Sequence, residues 1–157
     1  MRGGVSEPVR FKLDPTVDGL DLLRRWMEAG DGVGGFLKRL GAHPVEGREG
    51  FVRVALDIDP GHANFIGLVH GGVTASLIDM AGGAAVMSIL KPGQTLVTSD
   101  LTMRFLNAAP SDTARLEATG TVTYRDDRKA VVAAEVRTDT GVVVAQGTVG
   151  VAIRAAR

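Results

Sequence analysis

His70-Gly71-Gly72-Val73-Thr74-Ala75-Ser76-Leu77-Ile78-Asp79-Met80-Ala81-Gly82-Gly83-Ala84-Ala85-Val86-Met87-Ser88-Ile89-Leu90 is the stretch around which the rest of this chain is organised. From Gly71 to Leu90 it carries one charge, Asp79. Val73, Leu77, Met80, Ala84 and Met87 recur at helical spacing, and the opposite side is also small or apolar. A helix that is apolar all round is one that other structure surrounds. The stretch therefore predicts a long buried helix, stopped by Lys91-Pro92-Gly93. A carboxylate inside such a helix is costly unless it is paired or hydrogen-bonded, so Asp79 is either held by backbone or a hydroxyl for structural reasons, or kept for chemistry. The length would also suit a bilayer, but four glycines, a central Asp and no basic flanks argue against a membrane span.

Immediately upstream lies Asn64-Phe65-Ile66-Gly67-Leu68-Val69, and the helix opens on His70-Gly71-Gly72. Two glycines at a helix entry let another group approach the backbone closely. The free N–H groups of a first turn are suited to negative charge, including the oxyanion of a tetrahedral intermediate. A donor and a carboxylate thus share one element.

Downstream the hydrophobic period switches from helical to two. Leu96 to Leu106 sets Leu101, Met103 and Phe105 on one face; Thr113 to Tyr124 and Lys129 to Thr138 follow, and Val142 to Ile153 comes after the Asp139-Thr140-Gly141 turn. Before the helix, Phe51 to Ile58 alternates with Val52, Val54, Leu56 and Ile58 on one side, and Ala42 to Glu46 reads as a short first strand. Strands joined by short turns form an antiparallel meander, and one long helix among them gives the α+β class.

The N-terminal part is different. Residues 1 to 17 are polar and broken by Pro8 and Pro15, which suggests a loose arm; Asp18 to Ala29 reads as a short helix with Asp18 as N-cap. Gly30-Asp31-Gly32-Val33-Gly34-Gly35 fits a G-x-G-x-x-G pattern but follows a helix instead of a strand, so it reads as a hinge. Phe36 to Leu40 is a helical turn ended by Gly41. The expected division is an arm with a short helix over 1–35 and a main domain over 36–157.

Bulk composition narrows the classes further. Lys plus Arg and Asp plus Glu both number 18, so no net field favours nucleic acid or an anionic membrane. The absence of cysteine excludes disulfides, a thiolate nucleophile and Cys-ligated zinc; the first residues lack the apolar core of a signal peptide, and a cytoplasmic setting is expected. His43 and His62 show no metal-ligand spacing and read as surface or turn residues, so no metal is expected.

The run Asn64-x-x-Gly67-x-x-His70-Gly71-Gly72, with Asp79 following on the helix, resembles the hotdog-fold acyl-CoA thioesterases of the phenylacetate-degradation type, within the 4-hydroxybenzoyl-CoA thioesterase superfamily. The general layout of that family covers residues 36 to 153. The resemblance implies a curved antiparallel sheet wrapped around one long central helix, and hydrolysis of an acyl- or aryl-CoA thioester. It implies that Asp79 activates a water or attacks the thioester carbon itself, and that the Gly71 N–H receives the oxyanion. Asn64 would hold the water or the carboxylate, although Asn also suits loops for its tolerance of left-handed backbone. His70 would shape the turn or touch the thioester oxygen. Thr98 would orient Asp79 or the water, although Thr is also simply a good strand residue. Arg128 and Lys129, in the most basic hairpin, would meet the phosphates of CoA, which enters as part of the substrate and not as a separate cofactor. The family pairs chains into a homodimer or a dimer of dimers with shared active sites. A hotdog enoyl-CoA hydratase or dehydratase and a non-catalytic acyl-CoA-binding module are the alternatives.

Overall fold

The computed structural model describes residues 14–30 and 33–157. Most of the expected N-terminal arm, and Asp31 and Gly32 of the expected glycine hinge, lie outside the described residues. Helix α1 spans Gly19–Ala29 and α2 Phe36–Leu40; strands β1 (His43–Arg48) and β2 (Phe51–Asp57) precede the central helix α3, Gly71–Met87. Then come β3 (Gln94–Phe105), β4 (Arg115–Arg125), β5 (Lys129–Thr138) and β6 (Val143–Ala155). The six strands form one antiparallel sheet in the order β1-β2-β4-β5-β6-β3, curved about α3. The α+β class is the expected one, but the strands are not a continuous meander: β3 crosses to the far edge and pairs with β6 instead of β4. No helix among the described residues is long and apolar enough to cross a membrane.

Sheet and helix are joined by one apolar core. Leu77, Ile78, Ala81, Ala85 and Val86 of α3 are fully buried against Val52, Val54, Leu56, Leu116, Ala118, Val132, Val136, Val149 and Val151. Each of the larger side chains contributes about 1.5–3 kcal/mol relative to exposure. The helix can lie this close because glycines face it. A Cβ at Gly120 would run into the Ala81 carbonyl, and one at Gly82 would stand 2.7 Å from Val149. An alanine at position 120 would therefore lift α3 off the sheet.

Several boundaries shift by a few residues from the sequence reading, and two of the shifts have a visible cause. The helix ends at Met87 instead of Leu90, because the Ser88 hydroxyl turns back to donate to the Ala85 carbonyl at 2.6 Å and accepts the Gly50 N–H at 2.8 Å. Ile89 and Leu90 then close tighter turns onto Val86 and Met87, and the Leu90 carbonyl accepts the Gly19 N–H that opens α1. Strand β1 runs on to Arg48, because Glu49-Gly50 makes a two-residue hairpin loop with Gly50 at φ 73°. The expected N-cap at Asp18 is present, its carboxylate accepting from the Asp21 N–H. Leu22, Leu23 and Trp26 bury α1 in the same core.

The larger correction concerns Asp79. The sequence reads as a helix buried on every side, yet the stripe containing Gly72, Ser76 and Asp79 is not covered by the single chain, and both Gly72 and Asp79 are exposed. That stripe runs beside β3, an edge strand of the sheet.

Candidate active site

The loop before α3 is held from three directions. Asn64 Oδ1 accepts the N–H groups of Ile66 and Leu68, both at 3.0 Å, and its backbone exchanges a further bond with Leu68. Because the carbonyl oxygen of the side chain is spent on the loop, only the Nδ2 donors remain to face anything else. Val69 donates to Ala109 and Ser111 donates to Gly67, which fixes the loop to the segment after β3. His70 donates its N–H to the carbonyl of His62.

His62 lies in a turn, as expected, but is buried and not at the surface. Its Nδ1 accepts from the Asp59 N–H at 3.0 Å, while Nε2 lies 2.9 Å from the Leu40 carbonyl, which makes Nε2 the protonated nitrogen. The ring thus ties the end of α2 to the base of the site loop. The Asp59-to-His62 spacing, a capping box over a one-turn helix, is the trace of this in the sequence.

At the entry of α3 the His70 ring is the N-cap, its Nδ1 accepting the Gly72 N–H at 2.8 Å. Val73 donates to the His70 carbonyl. Gly71, the first helical residue, has no acceptor within the helix, so its N–H stays outside the ladder. A side chain at this position would press on the Phe105 ring, 3.1 Å from where a Cβ would stand. The His70 ring thus caps the turn, with its Nδ1 committed as a hydrogen-bond acceptor within it.

Two turns on, Thr98 Oγ1 donates to Asp79 Oδ1 at 2.8 Å. This contact depends on a bulge. The pairing of β3 with β6 slips between Thr98 and Asp100, so that Thr98 faces the helix together with Leu101 and Met103. Under strict alternation Thr98 and Leu101 would point to opposite faces; the extra residue, Ser99, re-aims the strand. The second Asp79 oxygen receives no hydrogen bond from a described residue.

Arg128 and Lys129 sit in the hairpin between β4 and β5. Their backbone N–H groups donate to Asp126 Oδ1, each at 2.8 Å, and the Tyr124 hydroxyl donates to Asp126 Oδ2. These bonds, the Arg128 N–H first, hold the Asp126 carboxyl below its usual range and push the Tyr124 hydroxyl up. The turn is ordered with both basic side chains facing out. Lys129 pairs with Ala152, which pairs with Val97, so the hairpin lies at the Thr98 end of the sheet, two strand spacings or roughly 10 Å away.

The single chain thus groups the candidates into two sets. Asn64, His70 and Gly71 gather beside Phe105, at one end of β3; Asp79, Thr98, Arg128 and Lys129 gather toward the other. Gly71 and Asp79 are eight residues apart on α3, roughly 12 Å along its axis. A single small group could not touch both within one chain. Beside Gly71 lies a cavity of about 330 Å³, walled by Val69, Thr74, Phe105, Leu106, Ala109 and Val144 among others. The sequence reading did not find this cavity, since its wall is contributed by segments far apart in the chain.

Comparison with known proteins bears on this arrangement. The model of the thioesterase superfamily matches residues 66–145, just over half of the chain. A Halobacterium salinarum protein whose name proposes an esterase is 37% identical over 83 residues, which are 50% of this chain and 55% of that protein; the match spans about half the length of that relative. A thioesterase structure from Haemophilus influenzae superposes with a TM-score of 0.74 at 19% identity, covering 87% of this chain and 90% of the other. A Bacillus halodurans protein, solved with CoA, gives a TM-score of 0.62 at 34% identity over 65% of this chain and 66% of its own. Antiparallel sheet, long helix and these neighbours define the hotdog fold. On the match from Ile66 to Ala145, through the glycine entry of α3, Asp79 and the strands that wrap them, the chain belongs to the thioesterase superfamily.

Proposed function

We propose that this protein hydrolyses the thioester of an acyl- or aryl-CoA to the free acid and CoA, in the manner of the phenylacetate-degradation type, within a homodimer whose sites are shared. The observation that carries the reading is the Thr98–Asp79 hydrogen bond on a helix face left uncovered beside an edge strand. Thr98 fixes one carboxylate oxygen and leaves the other free to act.

The chemistry follows from those positions. The Gly71 N–H, free of the helical ladder, receives the oxygen of the thioester as it gains negative charge. The free oxygen of Asp79 takes a proton from a water that attacks the carbonyl carbon, the tetrahedral intermediate collapses with cleavage of the C–S bond, and the proton passes to the departing thiolate. In the other route Asp79 attacks the carbon, expels the thiolate and gives an anhydride that water then opens. Asn64, its oxygen committed to the loop, offers Nδ2 as a donor to water or thioester. Arg128 and Lys129 face the CoA phosphates. The CoA held by the Bacillus halodurans neighbour supports this ligand class. Commitment of His70 Nδ1 to the Gly72 N–H speaks against a hydratase in which that histidine moves protons.

Sharing of sites joins the two sets of residues. If the β3 edges of two chains pair antiparallel about a two-fold axis near Thr102, Thr98 of one chain comes alongside the partner's Phe105, and hence Asp79 beside the partner's Gly71. The test is complementation between Asn64→Asp, which keeps the loop acceptor but loses the donor, and Asp79→Asn. Each variant alone is expected to lose about 10²–10⁴-fold in hydrolysis. Unfolded together and refolded, about half of the dimers are mixed, and one of the two sites in each mixed dimer is intact, so about a quarter of the parent activity should return. Verified mixed dimers that stay inactive would place the whole site within one chain.

A further inference from the structure

The charges of β3 are Asp100 and Arg104, opposite in sign, on one face of the strand and each two residues from Thr102. Both are exposed, and neither forms an ion pair with a described residue, although Ser99 donates to Asp100 Oδ2 at 2.8 Å. Gly150 of β6 marks their face as the outer one: its neighbours Val149 and Val151 point into the core, and a Cβ on it would run into the Asp100 carboxylate. Elsewhere on the sheet such charges are matched within the chain, Glu46 with Arg53, Asp57 with Arg115 and Glu135 with Arg137. On the open edge they are left unmatched. Val97 and Leu106, which flank them, are 52% and 49% exposed, while Leu101 and Met103 on the inner face are half-buried.

We propose that Asp100 and Arg104 are a charge code for a second copy of this chain, each pairing with the opposite member of the code on the partner's β3. The inference rests on the shared-site dimer of the proposed function and names the groups that select its register. Two identical antiparallel strands read one sequence in opposite directions about their two-fold axis, so a charge is matched only if its opposite stands equally far beyond the axis. With Ser99 set aside as the bulged residue, an axis at Thr102 sets Asp100 against the partner's Arg104, Val97 against the partner's Leu106 and Leu101 against the partner's Met103. Acid meets base and apolar meets apolar, the cross-strand pairs that stabilise a sheet. An axis at Leu101 or Met103 would instead leave each charge opposite Thr102 or an apolar side chain. The axis at Thr102 also brings Thr98 to the partner's Phe105, so the charges and the shared site select the same register from different residues. Charge on an edge strand ordinarily discourages pairing; a symmetric pair of opposite charges discourages every register but one.

The test is the dimer Kd, measured by sedimentation at low and high salt, of the parent, Asp100→Lys, Arg104→Glu, an equal mixture of those two variants, and the double exchange Asp100→Lys/Arg104→Glu. Each single variant sets like charges opposite one another twice in its own dimer, so its Kd should rise about 10- to 100-fold at low salt and less at high salt. The mixture should assemble into mixed dimers, in which both contacts again join an acid to a base, and the double exchange should dimerise about as tightly as the parent. Recovery in either case also shows that the single variants are folded. Single variants that dimerise as tightly as the parent overturn the proposal, as do single variants that neither mixing nor the double exchange restores. A parent that is itself a monomer overturns the shared-site dimer together with the code, an outcome distinct from a dimer indifferent to these charges. Mass and not hydrolysis is read, so none of these outcomes depends on the thioesterase reading.

Discussion

The two edges of the sheet are built differently. Strand β1 is short, contains Pro44, slips its pairing between Pro44 and Glu46, and carries Glu46 in ion pairs with Arg48 and Arg53. Its inner side is packed by α1, with Met27 3.3 Å from where a side chain at Gly47 would begin. Brevity, proline, a bulge and charge are the features that keep an edge from pairing with another chain. Strand β3 is twice as long, with Val97 52% and Phe105 59% exposed. Its bulge does not blunt the edge so much as turn Thr98 onto Asp79. One edge is closed off, while the other is left open beside the uncovered carboxylate, and the difference supports the reading that assembly occurs at β3.

The strongest way to break that comparison is to place a like charge on each edge in turn. A residue near a two-fold axis meets its own copy, so Thr102→Glu should drive the dimer apart and lower hydrolysis about 10²-fold or more, since each site would lose half of its groups. Val45→Glu on β1, at a position of similar exposure to solvent, should change neither mass nor activity. Sedimentation and kcat/KM measured on the same samples decide it. Equal effects at both positions, or none at Thr102, would remove the distinction between the edges.

A narrower test, which leaves the β3 edge intact, sharpens the Gly71 end of β3. Gly71→Pro deletes the proposed donor, and the backbone accepts it: a first helical turn tolerates proline, and His70, at φ −63° and ψ 136°, has the extended conformation that a residue before proline requires. Hydrolysis should fall about 10²–10³-fold, in kcat more than in KM, because the oxyanion exists only in the transition state. Gly71→Ala retains the N–H but presses on Phe105, so its effect should be milder and weighted toward KM. A Pro variant affected only in KM would reduce Gly71 to a positioning residue.

The smallest effect belongs to the closed side. Asp57 of β2 accepts from Arg115 of β4 at 2.7 Å, and this hydrogen bond, more than the charge alone, holds the Asp57 carboxyl below its ordinary value of 3.8. A carboxyl depressed on folding contributes stability that is fully present above the unfolded value and disappears as the pH falls through the folded one. Asp57→Asn should therefore cost about 0.2–1 kcal/mol near neutral pH, the range for an exposed pair, and nothing in strong acid. Denaturant midpoints across that pH range would show it. A deficit that persists in strong acid would assign the role of Asp57 to packing.

What the sequence by itself determined was local and periodic. The switch of period from helical to two, the N-cap at Asp18, the glycine entry at His70-Gly71-Gly72 and the alternation of β2 all follow from neighbours close in the chain, and the elements formed there within a few residues. The pattern of residue types also pointed to Asp79 and Thr98, which do meet. Tertiary structure decided the rest. Whether Asp79 is covered depends on what lies across from it, and an apolar helix reads the same whether its last face meets its own sheet or a second chain. A bulge changes which face Thr98 occupies without any mark in hydrophobicity, since Thr98 and Ser99 are both small and polar. Thr74 looks like one more small helix residue until Val69, Ala109 and Val144, brought from distant segments, close a cavity around it. Periodicity records which way a side chain points from its own element; its surroundings are fixed only when separate elements pack, because burial is a property of the contact and not of the residue.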